Sequence, residues 1–315
     1  MSTPDALPPA MKTSPDPPGP PAPATQLRRH AISPERERLQ SELLVWGWAV
    51  TALPLALLLL GVQLTIAWQD GRLFTSMSIQ AFCLSLLLAG IVLALRAATP
   101  AAAAVGAVIC YTTALITTPV STGLSQTALP LLPTLFVLTF AATRLGHARK
   151  TALGLTEPRR GRAASQIVAN LGVASMIALC HELSLAAGPA CIAVIAEATA
   201  DTVSSELGPL FSGRTWLLTT LRQVAPGTDG GVSLGGTLSG IASAAIITFV
   251  GCRLLSFGSL EAKIAFFPAI LGFLADSLLG ATLERRGLIG NDWVNFFSTA
   301  VTGAVALSLG LWLIP

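Results

Sequence analysis

The feature that most constrains this chain is a succession of apolar runs, each about the 20 residues a helix needs to cross a bilayer. They cover 43–68, 74–95, 101–120, 124–142, 166–187, 189–207, 233–255, 264–283 and 294–314. Short polar breaks such as Gln69-Asp70-Gly71-Arg72 separate them. In lipid, every backbone polar group must be satisfied within its own segment, so such runs fold as helices. The chain is 52% hydrophobic and 11% charged, with mean hydropathy +0.69, which excludes a soluble α/β protein. The expectation is an all-α, polytopic membrane bundle of about nine transmembrane helices, multi-pass and, in a bacterial cell, in the plasma membrane. A net charge of only +3 argues against a nucleic-acid partner. Cys83, Cys110, Cys180, Cys191 and Cys252 lie in apolar segments without metal-ligand spacing. They read as small buried side chains, and no disulfide is implied.

Ten of the 21 prolines fall in the first 34 residues, a composition that cannot bury a core and reads as a disordered tail. Residues 33–42 read as a short polar helix capped by Ser33, with Pro34 at its first position. In the first span, Pro54 is a candidate kink. The longest polar loop, 144–165, carries Arg144, Arg149, Lys150, Arg159, Arg160 and Arg162 against Glu157 alone. Its cations hold that face in the cytoplasm, and they also suit attraction of phosphates. With the amino terminus cytoplasmic, only Arg72, Arg253 and Lys263 of the 19 Lys and Arg residues lie outside. Three regions result: the tail and polar helix (1–41), four helices (42–143), and a motif-bearing unit of five helices (144–315).

Carboxylates in a spanning helix cost roughly 2.5–3.5 kcal/mol each at its centre, so those present ask for an explanation. Glu197, Asp201 and Ser205 stand at i, i+4 and i+8, one stripe of the sixth run, and Glu206 follows. Asp276 shares a face of the eighth with Gly280, and Asn291 opens the ninth. Under the expected topology Asp201, Glu206, Asp229, Asp276 and Asn291 reach one membrane surface from separate elements. Hard oxygen ligands from several helices suit Mg²⁺, which binds through one or two carboxylates and substrate phosphates. Asp201 and Asp276 are the candidate metal ligands. The plainer alternative is that these acids cap helices or pair with Arg214, Arg222, Arg285 or Arg286. Gly227-Thr228-Asp229-Gly230-Gly231, with Ser233 beyond, stands at a helix entrance, where backbone N–H groups can meet a phosphate. The alternative is tight-turn chemistry, with Gly236 and Gly240 as a close-packing face. The His181-Glu182 pair reads as interfacial.

Four segments together resemble a family: LGHARKTALGLTEPRRGRAASQIVANLGVA (145–174), ATADTVSSELG (198–208), VAPGTDGGVSLGGTLSG (224–240), and GFLADSLLGATLE with NDWVNFFS (272–284 and 291–298). Their order and spacing are similar to the transmembrane protein 19 family, an integral membrane domain whose plant branch includes phytyl-phosphate kinase. The match covers 144–315 well and the first four spans by hydropathy. The resemblance implies nucleotide-dependent phosphorylation of an isoprenyl monophosphate to the diphosphate, with Mg²⁺ and with CTP or ATP as co-substrate. By position it implies roles for Asp201, Ser204, Ser205, Glu206, Gly227, Gly230, Gly231, Asp276, Ser277, Asn291 and Asn295. Asp201, Glu206 and Asp276 would be catalytic. Gly227, Thr228, Asp229, Gly230, Gly231, Ser233, Ser205, Asn291 and Arg222 would bind nucleotide or phosphate, with Arg162 a further source of positive charge. Two other functions compete: a cation- or proton-coupled transporter using Glu197 and Asp201, and a non-catalytic membrane protein.

Overall fold

The structure, a computed structural model, describes residues 32–96, 98–155, 163–211 and 214–314. Most of the proline-rich segment and Arg159, Arg160 and Arg162 lie outside the described residues. Among those described, nine α-helices follow in order: α1 (Pro34–Gln69), α2 (Met77–Ala94), α3 (Pro100–Ala114), α4 (Leu131–Ala152), α5 (Ala164–Leu179), α6 (Ala187–Phe211), α7 (Leu234–Leu254), α8 (Ser259–Leu279) and α9 (Asn291–Leu313). Between α6 and α7 lie three short strands, β1 (Thr215–Leu217), β2 (Gln223–Val224) and β3 (Gly231–Val232). A π-helical turn, Gly280–Glu284, extends α8. Five helices are long and apolar enough to cross a membrane by length and composition: α1, α2, α7, α8 with its π turn, and α9. Shorter apolar helices accompany them.

The helices follow the apolar runs, and the departures have identifiable causes. Ser33 caps α1 as expected, accepting from the Arg36 N–H, and Pro34 occupies the first turn. The polar helix and the first span are one helix of 36 residues, continuous through Pro54. The third run ends as helix at Ala114 and gives way to an irregular connection. The polar loop expected from 144 is still α4 as far as Ala152, because Lys150 is held by Glu206 of α6 at 3.0 Å. Gly154, at φ +69°, then closes the helix, with the Leu155 N–H reaching the Lys150 carbonyl. The sixth segment, expected over 189–207, is a helix of 25 residues. The stretch before α7, read as loop, holds an antiparallel sheet in the order β2-β1-β3, pairing Trp216 with Gln223 and with Val232. Its strands are too short to show alternation in sequence. Of the cysteines, Cys191 and Cys252 are buried, whereas Cys83 and Cys180 are exposed.

Helix α6 forms the axis of the bundle and packs against α4, α5, α7, α8 and α9. Its first half, AGPACIAVIA, is wholly buried and mostly small, so neighbours come close. A Cβ on Gly240 would lie 2.9 Å from the Ala200 carbonyl oxygen, and one on Gly236 would lie 2.9 Å from that of Ser204. These two glycines are the close-packing face of α7 on α6.

Candidate functional site: a polar cavity at one end of the bundle

Antiparallel neighbours bring the amino-terminal ends of α1, α5, α7 and α9 together with the carboxyl-terminal ends of α4, α6 and α8. There they enclose a cavity of about 1030 Å³, at the upper end of the usual range for small-molecule sites. Asp201, Ser205, Glu206, Gly227, Thr228, Asp229, Gly230, Gly231, Ser233, Asp276 and Asn291 all line it. Arg222 does not: it is exposed, and its carbonyl accepts the Leu217 N–H to close the turn between β1 and β2.

Asp201 on α6 and Asp276 on α8 bring their carboxyl groups within hydrogen-bonding reach of each other. Two ionised carboxylates cannot hold that contact without positive charge between them. Asp276 Oδ2 is buried with no hydrogen-bond partner. Among the described residues no three His, Cys, Asp or Glu side chains gather to hold a metal by themselves. The pair either shares a proton or meets a cation, and a cation that completed its shell with phosphate oxygens and water, as Mg²⁺ does, would find two carboxyl groups here. Glu206 lies one turn beyond Asp201 and ion-pairs with Lys150, both side chains being mostly buried. The acid is thus engaged with α4, not with Arg214, Arg222, Arg285 or Arg286. Glu197 lies deeper, 1% exposed, with neither carboxyl oxygen partnered. Its neighbour Ser298 donates instead to the Asn295 carbonyl at 2.9 Å.

The glycine turn is built largely for packing. Gly230 adopts φ +68°, and a Cβ there would sit 2.1 Å from the Ala281 nitrogen. A Cβ on Gly280 would meet the Gly230 nitrogen at 2.9 Å. Backbone thus lies on backbone, and the turn is seated on the π turn next to Asp276. Two of its amides are committed internally: Thr228 N–H to the Ala225 carbonyl, and Gly231 N–H to that of Thr228. The Thr228 hydroxyl donates to the Ala225 carbonyl, and the Ser233 hydroxyl caps α7 by accepting from Gly236 N–H at 3.2 Å. Ser205 donates to the Thr202 carbonyl.

Of the cations, Arg144 and Lys150 were read as suited to phosphate but not placed in the site, and Arg38 and His147 were missed. Arg38 of α1 and Arg144, His147 and Lys150 of α4 line the same cavity. Arg144 packs over the Phe140 ring at 5.0 Å, while Arg38 pairs with Glu42 at 2.8 Å. A signal was available: Arg144, His147 and Lys150 recur at i, i+3 and i+6, in register with the helix that precedes them.

A membrane bundle with an acidic pair and a set of cations in one cavity defines a class, integral membrane proteins with a charged site at one surface. The model of the integral membrane protein family DUF92 matches residues 83–303, and the chain belongs to this family. It is 42% identical over 117 residues to an uncharacterized membrane protein, MJ0933, of Methanocaldococcus jannaschii (37% of this chain, 48% of the relative). It is 33% identical over 189 residues to the uncharacterized membrane protein sll0875 of Synechocystis (55% and 70%). To the chloroplastic protein VTE6 of Arabidopsis thaliana it is 30% identical over 183 residues (55% and 55%). The matches span about half the length of the archaeal and plant relatives. No solved structure matches the chain.

Proposed function

We propose that this chain is an integral membrane lipid-phosphate kinase, passing the terminal phosphoryl group of CTP or ATP to an isoprenyl monophosphate such as phytyl or geranylgeranyl phosphate. The observation that carries this reading is the meeting of Asp201 and Asp276, from two membrane helices, in a cavity that also receives Arg144, His147 and Lys150 from a third. Phosphoryl transfer needs positioning and charge more than covalent help from the protein. Asp201 and Asp276 would hold Mg²⁺, which when bound offsets negative charge on the phosphate oxygens. Lys150, fixed by Glu206, and Arg144, braced on Phe140, supply further positive charge at set places. Glu206 is then a positioning residue for Lys150. An oxygen of the isoprenyl phosphate, already ionised, bonds to the terminal phosphorus of the nucleotide. The bond from that phosphorus to its bridging oxygen breaks, and the electron pair leaves on the nucleoside diphosphate. No side chain has to remove a proton.

Purified protein in nanodiscs, with Mg²⁺, labelled CTP or ATP and geranylgeranyl phosphate, tests the reading. Labelled diphosphate is expected, with Asp201→Asn lowering turnover by about 10²–10³-fold while the folded fraction is unchanged. Failure to form product with either nucleotide and either prenyl phosphate overturns it. One observation favours the transporter reading: Glu197 is a buried, unpartnered acid on the central helix. Against it, α6 from Ala187 to Ala196 offers no further polar side chain toward the opposite end. Glu197→Gln separates the two, because the kinase keeps its turnover whereas a carrier that loads at Glu197 loses flux.

A further inference from the structure

A second space lies on the membrane-embedded side of the polar cavity. Between α1, α5 and α9 runs a groove of about 480 Å³. Gly47 and Thr51 of α1, Met176 of α5, and Trp293, Phe296 and Leu307 of α9 are among its walls. None of its lining side chains is charged. From Trp293 to Leu307 it follows about 21 Å of helix axis at 1.5 Å per residue, a large part of the roughly 30 Å hydrocarbon core.

The groove begins where the polar cavity ends, and on the same two helices. Ser41 and Asp292 line the cavity; Leu43 and Trp293, one or two residues on, line the groove. The boundary is tied by two hydrogen bonds, Ser41 Oγ to Asp292 Oδ2 at 2.9 Å and Trp293 Nε1 to the Gln40 carbonyl at 2.9 Å. A charged group is accommodated on one side of this tie, and hydrocarbon on the other. At Gly47 the wall has no side chain, and a Cβ placed there meets nothing within 4 Å.

We propose that this groove holds the hydrocarbon chain of the same lipid whose phosphate enters the polar cavity. The inference rests on the lipid-phosphate reading of that cavity and adds the place where the chain lies. It makes the groove the determinant of chain length: Gly47 leaves room that a longer or branched chain fills, and the tie fixes how far the phosphate stands from it.

The full chain in phosphatidylcholine nanodiscs is the test material. A geranylgeranyl phosphate carrying a photoreactive group near its chain end is expected to label α5 and α9 around Met176 and Leu307, read by peptide mass spectrometry. Unlabelled geranylgeranyl phosphate is expected to suppress that labelling. Gly47→Trp, which puts a bulky side chain into the groove at a position where an added Cβ has open space, is expected to weaken geranylgeranyl phosphate binding at least tenfold and leave dimethylallyl phosphate unchanged. Labelling confined to other helices overturns the proposal. So does groove labelling that excess prenyl phosphate does not compete, which assigns the space to ordinary bilayer lipid. Equal weakening of both ligands by Gly47→Trp also overturns it. Competed labelling without turnover leaves the groove standing and removes the kinase reading; turnover without groove labelling does the reverse.

Discussion

The two ends of the bundle are both rich in polar residues, yet they treat them differently. At the end formed by the connections α3–α4 and α5–α6, polar groups largely satisfy one another locally. His181 Nε2 accepts the Thr117 N–H at 3.2 Å, and Gln126 Oε1 accepts the Thr122 N–H at 2.7 Å. Ser121 accepts from Thr118 N–H and donates to the Gln126 carbonyl. At the other end, Asp201 and Asp276 face each other, and Asp276 and Glu206 each keep a buried oxygen without a partner. Buried polar groups left unsatisfied cost about 1–3 kcal/mol each. His181 Nδ1 is the exception at the first end, buried without a partner. Otherwise that end is built as a closure, whereas the other brings two carboxyl groups together and carries unfavourable electrostatics that a ligand can relieve. Neither polar content nor a single unsatisfied atom marks a site; unsatisfied acidic oxygens gathered in one cavity do.

Four substitutions probe that contrast. Gly230→Val should have the largest effect, because it combines a left-handed backbone with a Cβ that collides with Ala281. The strain alone is worth about 1–3 kcal/mol, and the turn must lift off the π turn beside Asp276. Thermal unfolding in detergent should show a clear loss of stability, and unchanged melting would mean the turn is not seated as described. Next, Lys150→Met and Glu206→Gln remove the two halves of the ion pair. A double-mutant cycle on stability should give a coupling of about 1–3 kcal/mol, and each single variant should lower turnover. Additive effects would mean that α4 is not tied to α6 there. The smallest effect belongs to the closed end. Burial lowers the His181 pKa below its ordinary 6.5, so the folded protein prefers the neutral ring that accepts from Thr117. The unfolded chain takes up a proton first as pH falls through 6.5. Stability should therefore decline below that pH, and His181→Gln, which keeps an acceptor, should flatten the decline without altering activity. A slope that survives in the variant would assign it to another group.

Much of the architecture was legible because hydropathy in a membrane chain reports directly on helices. The positions of α7 and α9 follow their apolar runs to within a few residues. Charge misled the reading at α4, whose last turns look like loop until Glu206, 56 positions later, is seen to hold Lys150. That contact is tertiary, and no local pattern encodes it. The three-stranded sheet was hidden for a different reason, since strands of two or three residues carry no measurable period. The acids of the cavity were found by their cost in an apolar setting. Its cations were legible only in part: Arg144 and Lys150 read first as orientation signals and second as attractors of phosphate, and Arg38 and His147 carried no such signal. The glycine turn was ambiguous between anion binding and packing. The structure assigns a packing contact to Gly230 that depends on Gly280, a partner the turn's own sequence does not reveal.

The central position of α6 has a consequence for how the protein is made. Synthesis delivers α6 to the membrane before α7, α8 and α9, yet these are among the helices that enclose it. Until they arrive, Glu197 and Asp201 face lipid or the insertion machinery, at roughly 2.5–3.5 kcal/mol for an acid at mid-helix. The segment that carries the chemistry is thus the one least able to settle by itself, and its place in the bilayer is secured by helices not yet translated.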